Sequence, residues 1–225
     1  HLRPIQELTN GYATPSIVHS AARSIEFEIN GVDAHGARPH LTQSAIEIGT
    51  FIINAIHSLY FDPNIPHSAK VTRFISGGKN TNIIPGKASL AIDMRAQTNE
   101  LMDELHNRIL DIIHNAKEIY ETDIEILKDQ GIVAAESSEG AQEVAAKAIK
   151  NVLGVDKLVP PIITPGGDDF HYYKVNVPHL KATMIGLGCD LQPGLHHPYM
   201  QFDIDSLFNG INIFNEILNI HSIKD

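Results

Sequence analysis

Between residues 24 and 30 the chain reads Ser-Ile-Glu-Phe-Glu-Ile-Asn, with apolar and polar side chains in alternation. A two-residue period puts Ile25, Phe27 and Ile29 on one face of a strand, which Gly31 ends. Ile46, Gly49, Phe51, Ile52, Ala55, Ile56 and Leu59 then recur at nearly helical spacing and predict a helix over 42–60. Thr42 is its candidate N-cap, and Glu47 lies near the first turn, where the helix dipole favours an acid. Strands are predicted over 68–77 (Val71, Phe74, Ile75) and 88–95 (Leu90, Ile92, Met94), joined through the turn chemistry of residues 77–82. An amphipathic helix over 99–119 carries Leu101, Leu105, Ile109, Ile112 and Ile113 on one face, and a short strand follows at 122–127.

Strand–helix–strand–strand–helix–strand over residues 22–128 is the split βαβ, ferredoxin-like order: one antiparallel sheet with two helices on one face. Outside it lie a helix at 138–153 stopped by Gly154, a buried strand at 180–187 and a helix at about 204–221. These pieces are too few to close a second sheet, and the first twenty residues lack a partner. Residues 1–21 and 129–225 therefore read as parts of one further unit whose remainder is absent. The chain shows no internal repeat, low-complexity tract or heptad series.

Composition narrows the function classes. With 225 residues, 43% of them hydrophobic and 20% charged, the chain can bury a core, which excludes global disorder. It has no run of about eighteen apolar residues, so a transmembrane helix is excluded and no membrane partner is expected. Seventeen basic against 27 acidic residues give a net charge of −10, and no basic patch suits nucleic acid. A single cysteine, Cys189, forbids an intrachain disulfide and suits a cytoplasmic protein. Thirteen histidines are many for this length, and histidine is both a metal ligand and a proton carrier near neutral pH.

Four clusters carry candidate chemistry, each with a plainer reading beside it. In Ala34-His35-Gly36-Ala37-Arg38-Pro39-His40, a loop histidine near a helix start can donate to a developing oxyanion; a solvated turn is the alternative. Asn82, in Asn80-Thr81-Asn82-Ile83-Ile84-Pro85-Gly86, can contact a substrate carbonyl, and Arg95 of Asp93-Met94-Arg95 can clamp a carboxylate. An ordinary turn and a strand-end arginine are the plainer reading, which local sequence alone favours. The glycines of Thr164-Pro165-Gly166-Gly167-Asp168-Asp169-Phe170-His171 let backbone approach a ligand, or form a turn capped by Asp168 or Asp169. Gly194-Leu195-His196-His197-Pro198 offers adjacent histidines in a credible metal-ligand position, although zinc takes at least three protein ligands.

Together these segments resemble the M20 metallopeptidase family, and within it the amidohydrolases that cleave N-acyl amino acids. The matching stretches are His1-Leu2-Arg3-Pro4, His35-Gly36-Ala37-Arg38-Pro39-His40, Asn82-Ile83-Ile84-Pro85, Asp93-Met94-Arg95, Gly166-Gly167-Asp168-Asp169-Phe170 and Leu195-His196-His197-Pro198. The likeness runs over essentially the whole chain. It implies an α+β and α/β fold: a ferredoxin-like satellite (dimerisation) domain at 22–128, inserted in an incomplete α/β metallopeptidase catalytic domain made of 1–21 and 129–225. It implies two divalent metal ions in the intact enzyme, usually zinc, sometimes manganese or cobalt, and a homodimer formed through the satellite.

Carried over by motif, His1 and His196 are metal ligands, and His35 is the satellite histidine that stabilises the oxyanion, often in the partner subunit's site. Asn82 and Arg95 bind substrate, and Gly166 and Gly167 line the pocket, where Asp168 stands in place of the family's usual glutamate. The substrate class is a small N-acyl amino acid or peptide, cleaved by metal-activated water. The family takes its remaining ligands and its general base from a segment ahead of the position of His1. The 225-residue chain alone is accordingly expected to be inactive and to bind metal weakly. The competing reading is a non-catalytic oligomerisation or ligand-binding module derived from that family.

Overall fold

The computed structural model describes residues 1–222. In chain order the strands and helices are β1 (Leu2–Pro4), β2 (Ala13–Thr14), β3 (Ile17–His19), β4 (Ala21–Asn30), β5 (Ala34–His35), α1 (Ala45–His57), β6 (His67–Ser76), β7 (Ile83–Ile84), β8 (Lys87–Ala96), α2 (Asn99–Ile119), β9 (Asp123–Ile132), α3 (Glu139–Leu153), β10 (Ile162–Thr164), α4 (Tyr172–Asn176), β11 (Gly186–Leu191) and α5 (Leu207–Ser222). They form two compact units. One comprises Ser20–Ala134 with Pro165–Gly167; the other comprises His1–His19, Ala135–Thr164 and the chain from Asp168 onward.

The first of these units is a four-stranded antiparallel sheet in the order β6-β8-β4-β9, the ferredoxin-like arrangement. Alternation sets the sheet's two faces. Ile25, Phe27 and Ile29 of β4 and Leu90, Ile92 and Met94 of β8 are fully buried, while Asp93 and Arg95 point the other way, toward solvent. Helix α1 adds Ile48, Ile52 and Ile56 to that core, and α2 adds Leu101, Leu105, Ile109 and Ile113. Gly49 is where α1 meets β6: a Cβ there would lie 2.5 Å from Phe74 Cζ, so the ring occupies space that only glycine leaves. On β9, Asp129 accepts from His106 Nε2 of α2 at 2.8 Å and from Arg23 Nε of β4 at 2.6 Å, tying helix, edge strand and central strand together.

The helix expected over 42–60 begins at Ala45, and its cap is Ser44, whose Oγ accepts from Glu47 N at 3.4 Å. Thr42 is instead committed to the preceding turn, its hydroxyl donating to Val32 O. Helix α2 spans 99–119 as the spacing predicts, with Thr98 Oγ1 accepting from Leu101 N at 3.2 Å.

In the other unit, β1 and β11 pair in parallel and β2 pairs antiparallel with β11, giving the order β1-β11-β2; β3 and β10 form a separate parallel pair. The first twenty residues are thus paired, which corrects the expectation that they lack a partner. The strand expected at 180–187 is displaced to 186–191. Residues before it are held otherwise: Ser138 N donates to Ala182 O at 2.8 Å, Ala182 N donates to Ser138 Oγ at 3.1 Å, and Thr183 Oγ1 donates to Pro15 O at 2.7 Å. A second core collects Ala13, Leu187, Ala148 and Ile149 of α3 and Ile213 of α5. Among the described residues no helix is long and apolar enough to cross a membrane.

Candidate functional site

The candidate residues fall in both units, and each group is positioned by its own backbone. In the sheet unit, β5 and β7 form a two-stranded ribbon with Ala34 opposite Ile84 and His35 opposite Ile83. Gly36 N donates to Asn82 O at 2.7 Å, which brings His35 and Asn82 to one exposed tip. His35 Nδ1 accepts from Ala37 N at 3.1 Å. An Nδ1 that accepts leaves the proton of the neutral ring on Nε2, so His35 presents an N–H donor, as an oxyanion partner must. Beside the ribbon is an open cleft of about 730 Å³ whose lining includes Asp33, Lys79, Asn80 and Lys87.

Arg95 is placed elsewhere. Its Nε and Nη2 donate to the two carboxylate oxygens of Asp93 at 2.9 and 3.0 Å, a fork that raises the guanidinium pKa. The ribbon adjoins the Lys87 end of β8, whereas Arg95 lies eight residues on, paired with Ala22. At about 3.4 Å per residue that is roughly 27 Å of strand. The ribbon and Arg95 are therefore not brought together within one copy of this unit. Gly166 and Gly167 are packed against the sheet: Gly166 O accepts from Ser20 N at 3.0 Å, and a Cβ on Gly167 would lie 2.1 Å from Ile132 Cδ1. At Gly167 close approach requires glycine.

In the other unit, His1 is fixed by the parallel sheet, its carbonyl accepting from Leu187 N at 2.9 Å. Its Nδ1 lies 2.6 Å from Leu2 O. A carbonyl only accepts, so the proton of the neutral ring is on Nδ1 and Nε2 holds a lone pair, the tautomer of a ligand-ready histidine. Asp168 Oδ2 is 3.9 Å from that Nε2. Asp168 Oδ1 accepts from Phe170 N at 2.9 Å and caps the 3-10 turn Asp169–His171.

That turn ends on a feature the sequence did not disclose. His171 Nε2 lies 2.9 Å from Nδ1 of His19, and each residue is 3% exposed. His19 closes β3, opposite Thr164 of β10. Burial depresses both pKa values; for His19, repulsion from His171 and Arg3 adds to it and the value falls to about 4, with Asp168 opposing. Near neutral pH both rings are uncharged and one donates to the other. The only sequence signal was that His19 ends a short apolar stretch, Ile17-Val18, and nothing linked it to His171, 152 residues away.

His196 lies in an exposed turn with φ of +62°, a backbone state that costs a non-glycine residue energy and is enriched at functional sites. Among the described residues no three His, Cys, Asp or Glu side chains converge on one point. His1 Nε2 and Asp168 Oδ2 are two polar atoms 3.9 Å apart, and no third such side chain joins them among the described residues.

Known proteins give this geometry a context. Residues 17–121 match the family model of the M20 peptidase dimerisation domain. The chain is 24% identical over 227 residues to N-acetyldiaminopimelate deacetylase of Exiguobacterium sibiricum, a match that covers 96% of this chain and 57% of that protein. It is 24% identical over 181 residues to indole-3-acetyl-aspartic acid hydrolase of Enterobacter agglomerans, covering 77% of this chain and 40% of the relative. The crystal structure of Bacillus subtilis YXEP, a dinuclear metal-binding peptidase of the M20 family, shares the fold: TM-score 0.71 at 18% identity, over 96% of this chain and 55% of that one. The chain spans about half the length of the curated relatives it matches. The dimerisation domain, the relatives along nearly the whole chain and the shared fold agree: residues 17–121 belong to the M20 peptidase dimerisation-domain family, and most of the chain is similar to M20 amidohydrolases and peptidases.

Proposed function

We propose that these 225 residues form the satellite and part of the catalytic domain of a cytoplasmic, homodimeric, metal-dependent amidohydrolase that cleaves an N-acyl amino acid or a small peptide. The observation that carries this reading is the ribbon that sets the His35 Nε2–H donor beside Asn82 on an exposed tip. There His35 donates to the oxygen that becomes negative as the amide carbon turns tetrahedral, and Asn82 holds the substrate. Arg95 binds the free carboxylate of the amino-acid portion, for which it must leave the Asp93 fork. The roughly 27 Å of strand between ribbon and Arg95 supports a dimeric enzyme, in which His35 and Asn82 of one copy serve the partner's site. Gly166 and Gly167 supply backbone at the pocket wall, Gly167 lying close against Ile132.

His1 and His196 are the metal ligands of this reading, and the ion is divalent: two zinc ions, or manganese or cobalt, in the complete centre. When bound, such an ion acidifies water and polarises the amide carbonyl. The chain by itself is expected to be inactive. The dimerisation-domain match over residues 17–121 favours the second reading, a non-catalytic oligomerisation or ligand-binding module.

The test joins this chain to the unmatched part of the Exiguobacterium deacetylase, replacing the portion it aligns with. Hydrolysis of N-acyl amino acids that falls about 10²–10³-fold on His35→Ala supports the enzyme reading. A folded, dimeric chimera without hydrolysis favours the module. Turnover by the isolated 225 residues would refute the expected inactivity.

A further inference from the structure

The cleft of about 730 Å³ beside the ribbon is the size of a small-molecule site, and the reaction proposed above makes no use of it. Part of its lining is the sheet face turned away from the core. Glu28 and Ile75 stand opposite Ser89 of β8 on that face, and Lys87, two residues along from Ser89, is on the same side. Lys79 comes from the turn after β6, and Val32, Asp33 and Ile83 come from the ribbon and its approach.

Two lysines and two acids make the cleft neutral overall. Asp33 accepts from Gly86 N at 2.8 Å. Glu28, Lys79 and Lys87 have no ion-pair partner among the described residues, although Glu26, two residues along the same face, is paired with both Arg73 and Lys128. Glu28 and Lys87 are diagonal neighbours across β4 and β8, and such neighbours stand about 7–8 Å apart, a gap that a short ligand carrying both charges can bridge. A neutral cleft whose charges are held apart selects neither a plain anion nor a plain cation; it suits a zwitterion. Next to these charges Val32, Ile75 and Ile83 are 76%, 63% and 42% exposed, so a ligand with an apolar group gains by covering them.

We propose that this cleft binds a free α-amino acid with an aliphatic side chain. Its carboxylate lies between Lys79 and Lys87, its ammonium meets Glu28, and its side chain covers Val32, Ile75 and Ile83. An N-acylated amino acid has lost the ammonium, so the cleft distinguishes a free amino acid from its N-acyl form. The charged groups are exposed or half-buried, where each ion pair contributes little, and the affinity is therefore about millimolar.

The experiment titrates the 225-residue chain with L-leucine and follows the backbone amide signals by NMR. Val32, Gly77, Gly78 and Lys87 are expected to shift with a Kd of about 1 mM. N-acetyl-L-leucine, which lacks the ammonium, and isoamylamine, which lacks the carboxylate, are expected to bind at least about fivefold more weakly. Glu28→Gln and Lys87→Met are each expected to weaken L-leucine binding about three- to tenfold, with the far-UV circular dichroism unchanged. No shift at these residues up to about 50 mM L-leucine overturns the proposal. Equal binding of N-acetyl-L-leucine or isoamylamine overturns the zwitterion, and folded Glu28→Gln and Lys87→Met variants that bind like the wild type overturn the placement. None of these outcomes bears on the amidohydrolase reading, which the chimera tests separately.

Discussion

Acid should destabilise the unit that contains His19 more steeply than its carboxylates alone would require. In the folded chain His19 is 3% exposed and its pKa is lowered to about 4, whereas in the unfolded chain it returns to the ordinary value near 6.5. Below about pH 6.5 the unfolded chain takes up a proton that the folded chain refuses until about pH 4. Stability is therefore intact above the higher value and is lost as pH falls toward the lower one. The full difference corresponds to about 3 kcal/mol. Between about pH 7.5 and 4.5, partial protonation brings the His19 share to roughly 2–3 kcal/mol. His171, also depressed by burial, adds in the same direction. The assay is urea unfolding followed by far-UV circular dichroism across this range, on the wild type and on His19→Asn, which cannot titrate. The variant should lose less stability on acidification, by roughly 2–3 kcal/mol. Parallel pH profiles for the two proteins would refute the claim that His19 is buried uncharged.

Three further substitutions probe the sheet unit. Gly49→Ala places a methyl group 2.5 Å from the Phe74 ring; overpacking should exceed the gain in helix propensity and cost about 1–2 kcal/mol by thermal unfolding. Asp129→Asn keeps the shape but removes the charge shared by Arg23 and His106. With these groups a tenth to a third exposed, a loss of about 1–2 kcal/mol is expected in urea, and an unchanged midpoint would show that the network contributes nothing. Thr98→Ala removes the acceptor for Leu101 N at the start of α2 and should cost about 1 kcal/mol.

The sheet unit was legible because its elements are long and one-sided. Ten-residue β4 and β8 alternate with a buried face, and α2 repeats its apolar positions over 21 residues, so period alone assigns them. The other unit was not. Its strands run two, three or six residues, too short to show a period, and their pairing joins residue 2 to 187 and residue 17 to 162. The N-cap of α1 was misread because Thr42 and Ser44 are both cap residues; the turn ahead of the helix had already engaged the threonine.

The same physics explains which candidate residues meet in the fold. His35 and Asn82 meet because a short ribbon folds two local motifs onto each other, and local motifs are what a reader of sequence can see. Asn82 and Arg95 stand only thirteen positions apart and were grouped for that reason, yet the extended backbone of β8 carries them to opposite ends of a sheet. His19 and His171 are 152 positions apart, and their ring nitrogens are 2.9 Å apart. Extended strands convert nearness in sequence into distance, and pairing between remote strands does the reverse. A pair built partly ahead of a short strand and partly on a turn after a remote strand, as His1 and Asp168 are, therefore leaves no spacing to read. What it leaves is geometry that only the fold reveals: the His1 ring Nδ1 2.6 Å from Leu2 O and its Nε2 3.9 Å from a carboxylate oxygen of Asp168.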